Sequence, residues 1–485
     1  MTNQGELQGA IRALTGTANT YNGDWHALFD DYGITSGNEY NGRLVEWLQE
    51  QLLSSSTNLG DLMQQYATML GYYNWNSIRG ESFAGRAIVN STTLSDEITF
   101  TRASSAYAFV DGVLTSFGTN APRFGSLSID GGTSGFVIEG ASTNLLQPSE
   151  DFSDAAWAKP NITVTTDTTI APDGNTVADT LTATATDACR VSESKAFTTG
   201  QPYSLSCFMK AGNANGFLAL SDGSTTVYGY VKATLTGSGS VSVTGTNMSA
   251  SIEAGENGWY RVTLIWSSSS VTASVAANIG VWDGTADQFN YPGASSGSTV
   301  IVFGAQLENF AYETSYIKTT TAAATRAADV AIISSLTSKP WWNPTEGTLV
   351  AKWKRGTNVN TGTFVVEVDD NTASERIEIR HVPATSVEGN VVSGGVDVVT
   401  IADTITSNAL TKLAFAFKQA DYAVSTNGGS VDNNTTNSFP SGIVTMRIGA
   451  IIFAGSTNIL NGTLESLVYY PSRISDSQLQ IISAL

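Results

Sequence analysis

The sequence predicts a mainly β protein: a small α-helical base at the N-terminus, then a β connector and two antiparallel domains of the jelly-roll or β-sandwich type. Short runs with a period of two recur about every ten residues after Gly80, and turn signals such as Asp283-Gly284 separate them. Apolar residues at helical spacing occur mainly in the first 80 residues. The length, 485 residues, suits about three domains.

The chain has few charged residues, and most of them are acidic. Lys and Arg number 24 against 43 Asp and Glu, which gives a formal net charge of −19, and 14% of the residues are charged. Nucleic acid is therefore not an expected partner, because phosphate binding needs clustered cations. Residues 1–4 begin no Sec-type signal. Apolar stretches such as 448–455 are too short to cross a bilayer, so we expect no membrane insertion.

Residues 1–80 are predicted to form three or four short helices. Apolar residues recur every three or four positions around Trp47, and a shorter segment contains Trp25. So few short helices bury a marginal core, and such a unit usually depends on a partner or on its own copies. We expect Trp25, Trp47, Tyr72 and Trp75 to belong to that contact, with a local core role for Tyr72 and Trp75 as an equal alternative.

Three β segments follow the base. Residues 81–143 contain short strands broken by Gly and Pro turns, which predicts an extended β connector without a large core. Residues 144–328 contain many short strands and no helical pattern, as in one jelly roll, and the small residues at 319–328 are typical of a linker. Residues 329–485 are predicted to form a second sandwich that ends with a short helix.

One strand of the second sandwich alternates strictly. Ile377 and Ile379 share one face, and Arg376, Glu378 and Arg380 share the other. This pattern predicts a strand with one face exposed to solvent.

The tryptophans are mostly predicted to be structural. Trp157 and Trp266 are expected in a core, and Trp259 is expected to have a structural role. Trp341 and Trp342 are neighbours, and neighbours in a strand face opposite sides. We therefore expect one of the two to cover a seam between domains or subunits.

The sequence shows no motif for metal-dependent or nucleophilic catalysis. His26 and His381 are the two histidines of the chain, and neither accompanies a zinc motif or a nucleophile elbow. We expect no enzyme activity, no cofactor and no metal. Cys189 and Cys207 are expected to be small buried residues, with a disulfide as the alternative.

The alternative is that the jelly roll contains a structural calcium site. Glu150, Asp151 and Glu308 lie near the two ends of that segment and could meet in space. Their spacing is not that of a calcium-binding loop.

A loop-rich stretch contains the residue types that bind sugar rings. Aromatic side chains stack on sugars, and Asn or Asp side chains hydrogen-bond the hydroxyl groups. Trp282 and Asp283, followed by Phe289, Asn290 and Tyr291, supply both kinds of contact. We predict carbohydrate binding by Trp282, Asp283, Asn290 and Tyr291, with core packing as the alternative for Trp282.

Several stretches of the chain resemble fibre and spike proteins of tailed bacteriophages, and together these stretches cover about residues 97–485. Their order and spacing are the most specific signal in the sequence. The stretches are Phe100-Thr101-Arg102-Ala103-Ser104, Asn120-Ala121-Pro122-Arg123-Phe124, Phe136-Val137-Ile138-Glu139-Gly140, Gly304-Ala305-Gln306-Leu307-Glu308, Thr314-Ser315-Tyr316-Ile317 and Thr325-Arg326-Ala327-Ala328-Asp329. The first three resemble a junction common in those proteins, and the last three resemble parts of their carbohydrate-binding-module-like jelly rolls. Asn461-Gly462-Thr463-Leu464 is similar to the last strand of concanavalin-A-like lectin sandwiches.

The resemblance implies a structural virion protein, assembled in the host cytoplasm as a subunit of a tail fibre or head spike. Residues 1–80 would attach it to capsid or tail proteins, and its sandwiches would bind host surface polysaccharide as a receptor for adsorption. It would be a homo-oligomer, trimeric by preference and pentameric on a capsid vertex. Two alternatives remain: a spike that depolymerises polysaccharide, and a decoration protein without a ligand.

Overall fold

The computed structural model of the chain describes residues 85–224, 226–356, 362–382, 385–451 and 458–485. The predicted helical base, with its candidate attachment residues Trp25, Trp47, Tyr72 and Trp75, lies outside the described residues. Within the described ranges the protein is almost entirely β, and every strand pair is antiparallel. No helix in this part of the chain is long and apolar enough to span a membrane.

The described elements are numbered in chain order. The strands of residues 85–224 are β1 Arg86–Val89, β2 Thr99–Thr101, β3 Ala106–Val110, β4 Val113–Phe117, β5 Arg123–Gly125, β6 Gly135–Ile138, β7 Ser142–Asn144, β8 Ile162–Ile170, β9 Thr176–Ala183, β10 Arg190–Phe197, β11 Tyr203–Ala211 and β12 Asn215–Ser221. Those of residues 226–356 are β13 Val227–Thr234, β14 Ser240–Gly245, β15 Met248–Ala254, β16 Trp259–Trp266, β17 Ala273–Trp282, β18 Thr285–Gln288, β19 Tyr291–Gly293, β20 Thr299–Glu308, β21 Ala324–Arg326, β22 Val330–Ile333 and β23 Glu346–Arg355. The remainder are β24 Thr363–Asp369, β25 Arg376–Val382, β26 Ser386–Ser393, β27 Val396–Thr404, β28 Thr411–Lys418, β29 Tyr422–Thr426, β30 Asp432–Asn434, β31 Thr445–Ile448, β32 Gly462–Tyr470 and the helix α1 Asp476–Ile482.

The first sandwich packs a five-stranded sheet on a six-stranded sheet. The strand orders are β10-β17-β12-β13-β14 and β15-β16-β11-β20-β9-β8. Alternate residues of each strand point inward, so that Val231 and Ile279 of one sheet share a core with Leu205 and Leu264 of the other. The predicted core role of Trp157 and Trp266 is confirmed, since both are buried in this core.

The second sandwich takes strands from the segment that the sequence predicted to be a connector. β1, β5 and β6 join an eight-stranded sheet through β32, and β2 joins the opposite seven-stranded sheet through β22. Ile88, Phe136 and Ile138 are fully buried in the core between these two sheets. The expectation of a connector without a large core was therefore wrong, because its apolar residues complete a distant sandwich. The domain boundaries read from the sequence stay a prediction.

A buried ion cluster lies at the junction of the two sandwiches. Arg123 contacts Glu139 at 2.7 Å and Asp329 at 2.6 Å, while Arg326 contacts Glu139 at 2.9 Å and Arg102 contacts Asp329 at 3.1 Å. All five side chains are at most 1% exposed. These residues belong to the most specific motifs of the sequence, so those motifs build a structural junction.

The electrostatics of the cluster favour its charged state. Burial raises the pKa of Glu139, but Arg326, Arg123 and hydrogen bonds from Ser315 outweigh burial and lower it to about 2. Ser315 donates to Glu139 through its backbone N–H at 2.8 Å and its hydroxyl at 2.6 Å. Residues 319–328 were predicted to form a linker. That prediction is wrong for Arg326, which is a buried member of this cluster.

The face of β25 that was predicted to be solvent-exposed is covered by Arg376 and Arg380 of the same strand. Glu378 is fully buried, and Arg376 and Arg380 lie over it at 3.1 and 3.5 Å. Burial raises the pKa of Glu378, and the two arginines oppose that rise. The alternation was correct, but long guanidinium side chains shield the carboxylate between them from water.

Candidate functional site

A β-hairpin covers the outer face of the five-stranded sheet. It consists of β18 and β19, joined by Phe289 and Asn290 with φ angles of 50° and 65°. Positive φ at both central residues is the geometry of a type I′ hairpin, which usually selects Asn or Gly. A phenylalanine in this conformation is strained, and its side chain is 75% exposed. The hairpin thus presents a strained aromatic residue to solvent.

The inner side of the hairpin is held by Tyr291. Its ring is 1% exposed and packs with Phe217 and Ala219 on the outer face of the sheet. The guanidinium of Arg190 lies over the ring, 3.9 Å from its centroid. Tyr291 therefore fixes the hairpin to the sheet and does not reach the surface.

Asp283 holds the entry and exit of the hairpin together. Its carboxylate accepts hydrogen bonds from the backbone N–H groups of Thr285 at 2.9 Å and Ser295 at 2.8 Å, and from the hydroxyl of Ser298 at 2.8 Å. Burial raises the pKa of Asp283, but these donors outweigh burial and hold the pKa well below its usual range. The carboxylate is therefore ionised at neutral pH, and its hydrogen bonds serve the loop.

The exposed side of the hairpin forms a patch with β13, which we call the hairpin patch. Lys232 lies over two aromatic rings, with its Nζ 5.4 Å from the centroid of Tyr230 and 5.5 Å from that of Trp282. Asp287 of β18 accepts a hydrogen bond from the Tyr230 hydroxyl at 2.8 Å and pairs with Lys232 at 2.7 Å. The hairpin patch consists of Tyr230, Lys232, Trp282, Asp287, Phe289 and Asn290.

The structure separates the four residues that the sequence predicted to bind carbohydrate. Trp282 is half-buried beside Lys232 and Asn290 is exposed at the turn, so these two belong to the hairpin patch. Asp283 and Tyr291 lie behind it as supports. Direct sugar binding by the four stays a prediction.

Tyr230, Lys232 and Asp287 were not predicted from the sequence. Tyr230 and Lys232 alternate with the core residues Val231 and Ala233, which places the first two on the outer face of β13. That signal was available. No sequence pattern indicated that the hairpin 50 residues later folds over the same face.

The possible calcium ligands are engaged in other contacts. Glu308 accepts hydrogen bonds from the hydroxyls of Ser142 and Thr314, while Glu150 pairs with Lys318 at 2.6 Å. Within the described ranges, no three His, Cys, Asp or Glu side chains form a group that could hold a metal ion.

The remaining candidates within the described residues are buried or half-buried, and His26 lies outside these residues. Cys189 and Cys207 are free thiols, as expected, and His381 lies in the second core beside Trp353. Trp342 is buried, while Trp341 is half-buried and donates a hydrogen bond to Glu97 of the N-terminal segment at 2.9 Å. This contact lies within the second sandwich, so the prediction that one of the pair covers a seam between domains or subunits stays a prediction.

Comparison with known proteins gives weak structural matches. No family model and no curated protein sequence matches the chain. A CBM40 module of the Ruminococcus gnavus IT-sialidase, bound to α2,3-sialyllactose, is 16% identical with a TM-score of 0.25, over 30% of this chain and 84% of that one. The NanB sialidase of Streptococcus pneumoniae is 16% identical with a TM-score of 0.26, over 31% of this chain and 26% of that one.

A SAP-like pentraxin of Limulus polyphemus is also similar. It is 14% identical with a TM-score of 0.25, over 32% of this chain and 82% of that one. All three TM-scores are far below 0.5, so the function proposed for this protein rests on its own side chains.

Proposed function

We propose that this protein binds carbohydrate through the hairpin patch, without enzymatic activity. The observations that carry the proposal are the exposed, strained Phe289 at the turn of the hairpin and the half-buried ring of Trp282, which lies beneath Lys232 of the Lys232–Asp287 pair. A pyranose ring has an apolar face that stacks on such rings and hydroxyl groups that need donors and acceptors. The hairpin patch supplies all three kinds of contact.

Three polar groups of the patch, those of Tyr230, Lys232 and Asp287, already contact one another before a ligand arrives. Asp287 is fixed by Tyr230 and Lys232, and an ionised carboxylate keeps further acceptor sites for hydroxyl donors. The Asn290 side chain adds both a donor and an acceptor at the turn. Ordered groups lose little conformational entropy on binding, which favours recognition by a small surface patch.

A glycan array probed with the full-length chain tests this proposal. We expect binding that Trp282→Ala and Phe289→Ala each weaken by tenfold or more. Val396→Ala is the matched control, because Val396 is 63% exposed but belongs to the second sandwich. Equal binding by all variants would contradict the assignment to the hairpin patch, and an array without ligands would favour a decoration protein.

We also propose that the chain is a fibre or spike subunit of a tailed-phage virion and acts in host attachment. Its support is the resemblance of the junction stretches, whose residues Arg102, Arg123, Glu139 and Arg326 build the buried cluster. Residues 1–80 would bind capsid or tail proteins and bring copies of the chain together. A deletion of 1–80 should abolish incorporation into particles, and normal incorporation would contradict the anchor.

A polysaccharide depolymerase is the rival function. Depolymerising spikes usually contain a parallel β-helix, whereas every strand pair described between residues 85 and 485 is antiparallel. Incubation with purified host polysaccharide should release no reducing ends. A release that grows with time would replace the binding proposal by an enzymatic one.

A further inference from the structure

The outer strand β14 of the five-stranded sheet lacks the usual protection of a sheet edge. It is paired with β13 on one side, and no described strand pairs with its other side. Five of its six residues are exposed, so its outward N–H and C=O groups face solvent. Such a row of backbone groups is a template for another strand.

Charge protects most of the other outer strands but not this one. Edge strands in monomeric proteins usually carry a charged residue that discourages pairing. Among the described outer strands of the four large sheets, β14 and the three-residue β2 are the two without one. The chain carries no charge from Ala233 to Ile252, a range that includes β14 and the first five residues of β15, the neighbouring edge strand of the opposite sheet.

A second copy of the chain can approach this edge without bringing like charges together. Two copies with a net charge of −19 each repel one another over most of their surface, and an uncharged edge is where their approach costs least. Antiparallel pairing of β14 with itself has two-fold symmetry and closes after two copies. We infer that β14 pairs edge to edge with β14 of a second copy and makes one continuous ten-stranded sheet.

The pairing would place two hairpin patches on one surface. Lys232 and Tyr230 lie directly opposite Ser242 and Thr244 in the β13–β14 ladder, so these four side chains share the outer face. In the paired sheet the two β13 strands are three strand spacings apart, about 14 Å. The self-pairing does not depend on glycan binding. If the patch binds glycan as proposed, the pairing makes the protein bivalent.

The oligomeric mass of the full-length chain, measured by light scattering after gel filtration without glycan, tests the pairing. Ser242→Lys/Thr244→Lys adds two like charges to each edge at exposed positions, so the fold is kept while self-pairing is opposed. We expect the double variant to have half the mass of the wild type, whose single chain is 51.0 kDa.

A matched control separates edge pairing from a general effect of charge. Thr163→Lys/Thr165→Lys adds the same two charges at exposed positions of β8, the outer strand on the far side of the six-stranded sheet. This variant should keep the wild-type mass. Equal masses for wild type and Ser242→Lys/Thr244→Lys, whatever that mass is, would overturn the inference.

Discussion

Substitution of Glu139 by Gln should destabilise the protein through the buried ion cluster. The variant keeps the shape of the side chain but removes the charge that faces Arg123 and Arg326, both fully buried. Removing one partner from a buried ion pair usually costs 3–5 kcal/mol, because the other charge stays buried without compensation. Asp329 still contacts Arg123 at 2.6 Å, which favours the lower end of that range, about 3 kcal/mol.

The depressed pKa of Glu139, which has the same two arginines among its causes, gives a similar magnitude. The pKa of Glu139 falls from 4.5 to about 2 in the folded protein, and this difference corresponds to about 3 kcal/mol. Because the folded pKa is depressed, this stability is present above pH 4.5 and is lost as the pH falls towards 2. The gap between wild type and Glu139→Gln should therefore shrink to about half at pH 3.

Urea unfolding followed by tryptophan fluorescence, at pH 7 and pH 3, measures both effects. Glu256→Gln is the control, because Glu256 is an exposed carboxylate and its neutralisation should change little. If Glu139→Gln unfolds with the wild-type free energy at pH 7, or if the gap is the same at both pH values, the reasoning about the cluster is refuted.

Two further predictions concern the hairpin. Phe289→Gly should raise the free energy of unfolding by about 1 kcal/mol in thermal unfolding, because glycine adopts φ = 50° without strain. The same substitution should weaken glycan binding. A loss of stability would contradict the strain at Phe289. Asp283→Ala should lower stability by about 1–3 kcal/mol, since it leaves the N–H groups of Thr285 and Ser295 and the hydroxyl of Ser298 without their acceptor. It should also weaken glycan binding, because the hydrogen bonds of Asp283 hold the two ends of the hairpin together. Unchanged binding would contradict this role of Asp283.

The sequence predicted the β class and much of the packing, because both depend on local alternation. Tyr260, Val262, Leu264 and Trp266 alternate along β16 and lie together in the core of the first sandwich. The partners of strands far apart in the chain could not be predicted in this way. The pairing of β1 with β32 joins Arg86 to Tyr469, and no local pattern records a contact over such a distance.

Only part of the candidate site could be predicted, because contacts between distant segments complete it. Trp282 and Asn290 were found because their residue types stand out in a loop. Tyr230 and Lys232 belong to an ordinary alternating strand, and their importance depends on the hairpin that folds over it. The charged motif residues were recognised by resemblance, but composition gives no sign that Arg326 is buried, since arginine is rarely found in a core.

The most direct test of carbohydrate binding by the hairpin patch is a calorimetric titration of the best array glycan into wild type, Trp282→Ala and Val396→Ala. The proposal predicts equal dissociation constants for wild type and Val396→Ala, and a constant at least tenfold higher for Trp282→Ala. A tenfold change corresponds to about 1.4 kcal/mol, near the upper end of what an aromatic stacking contact contributes beyond its buried area. An unchanged dissociation constant for Trp282→Ala would contradict the proposed site.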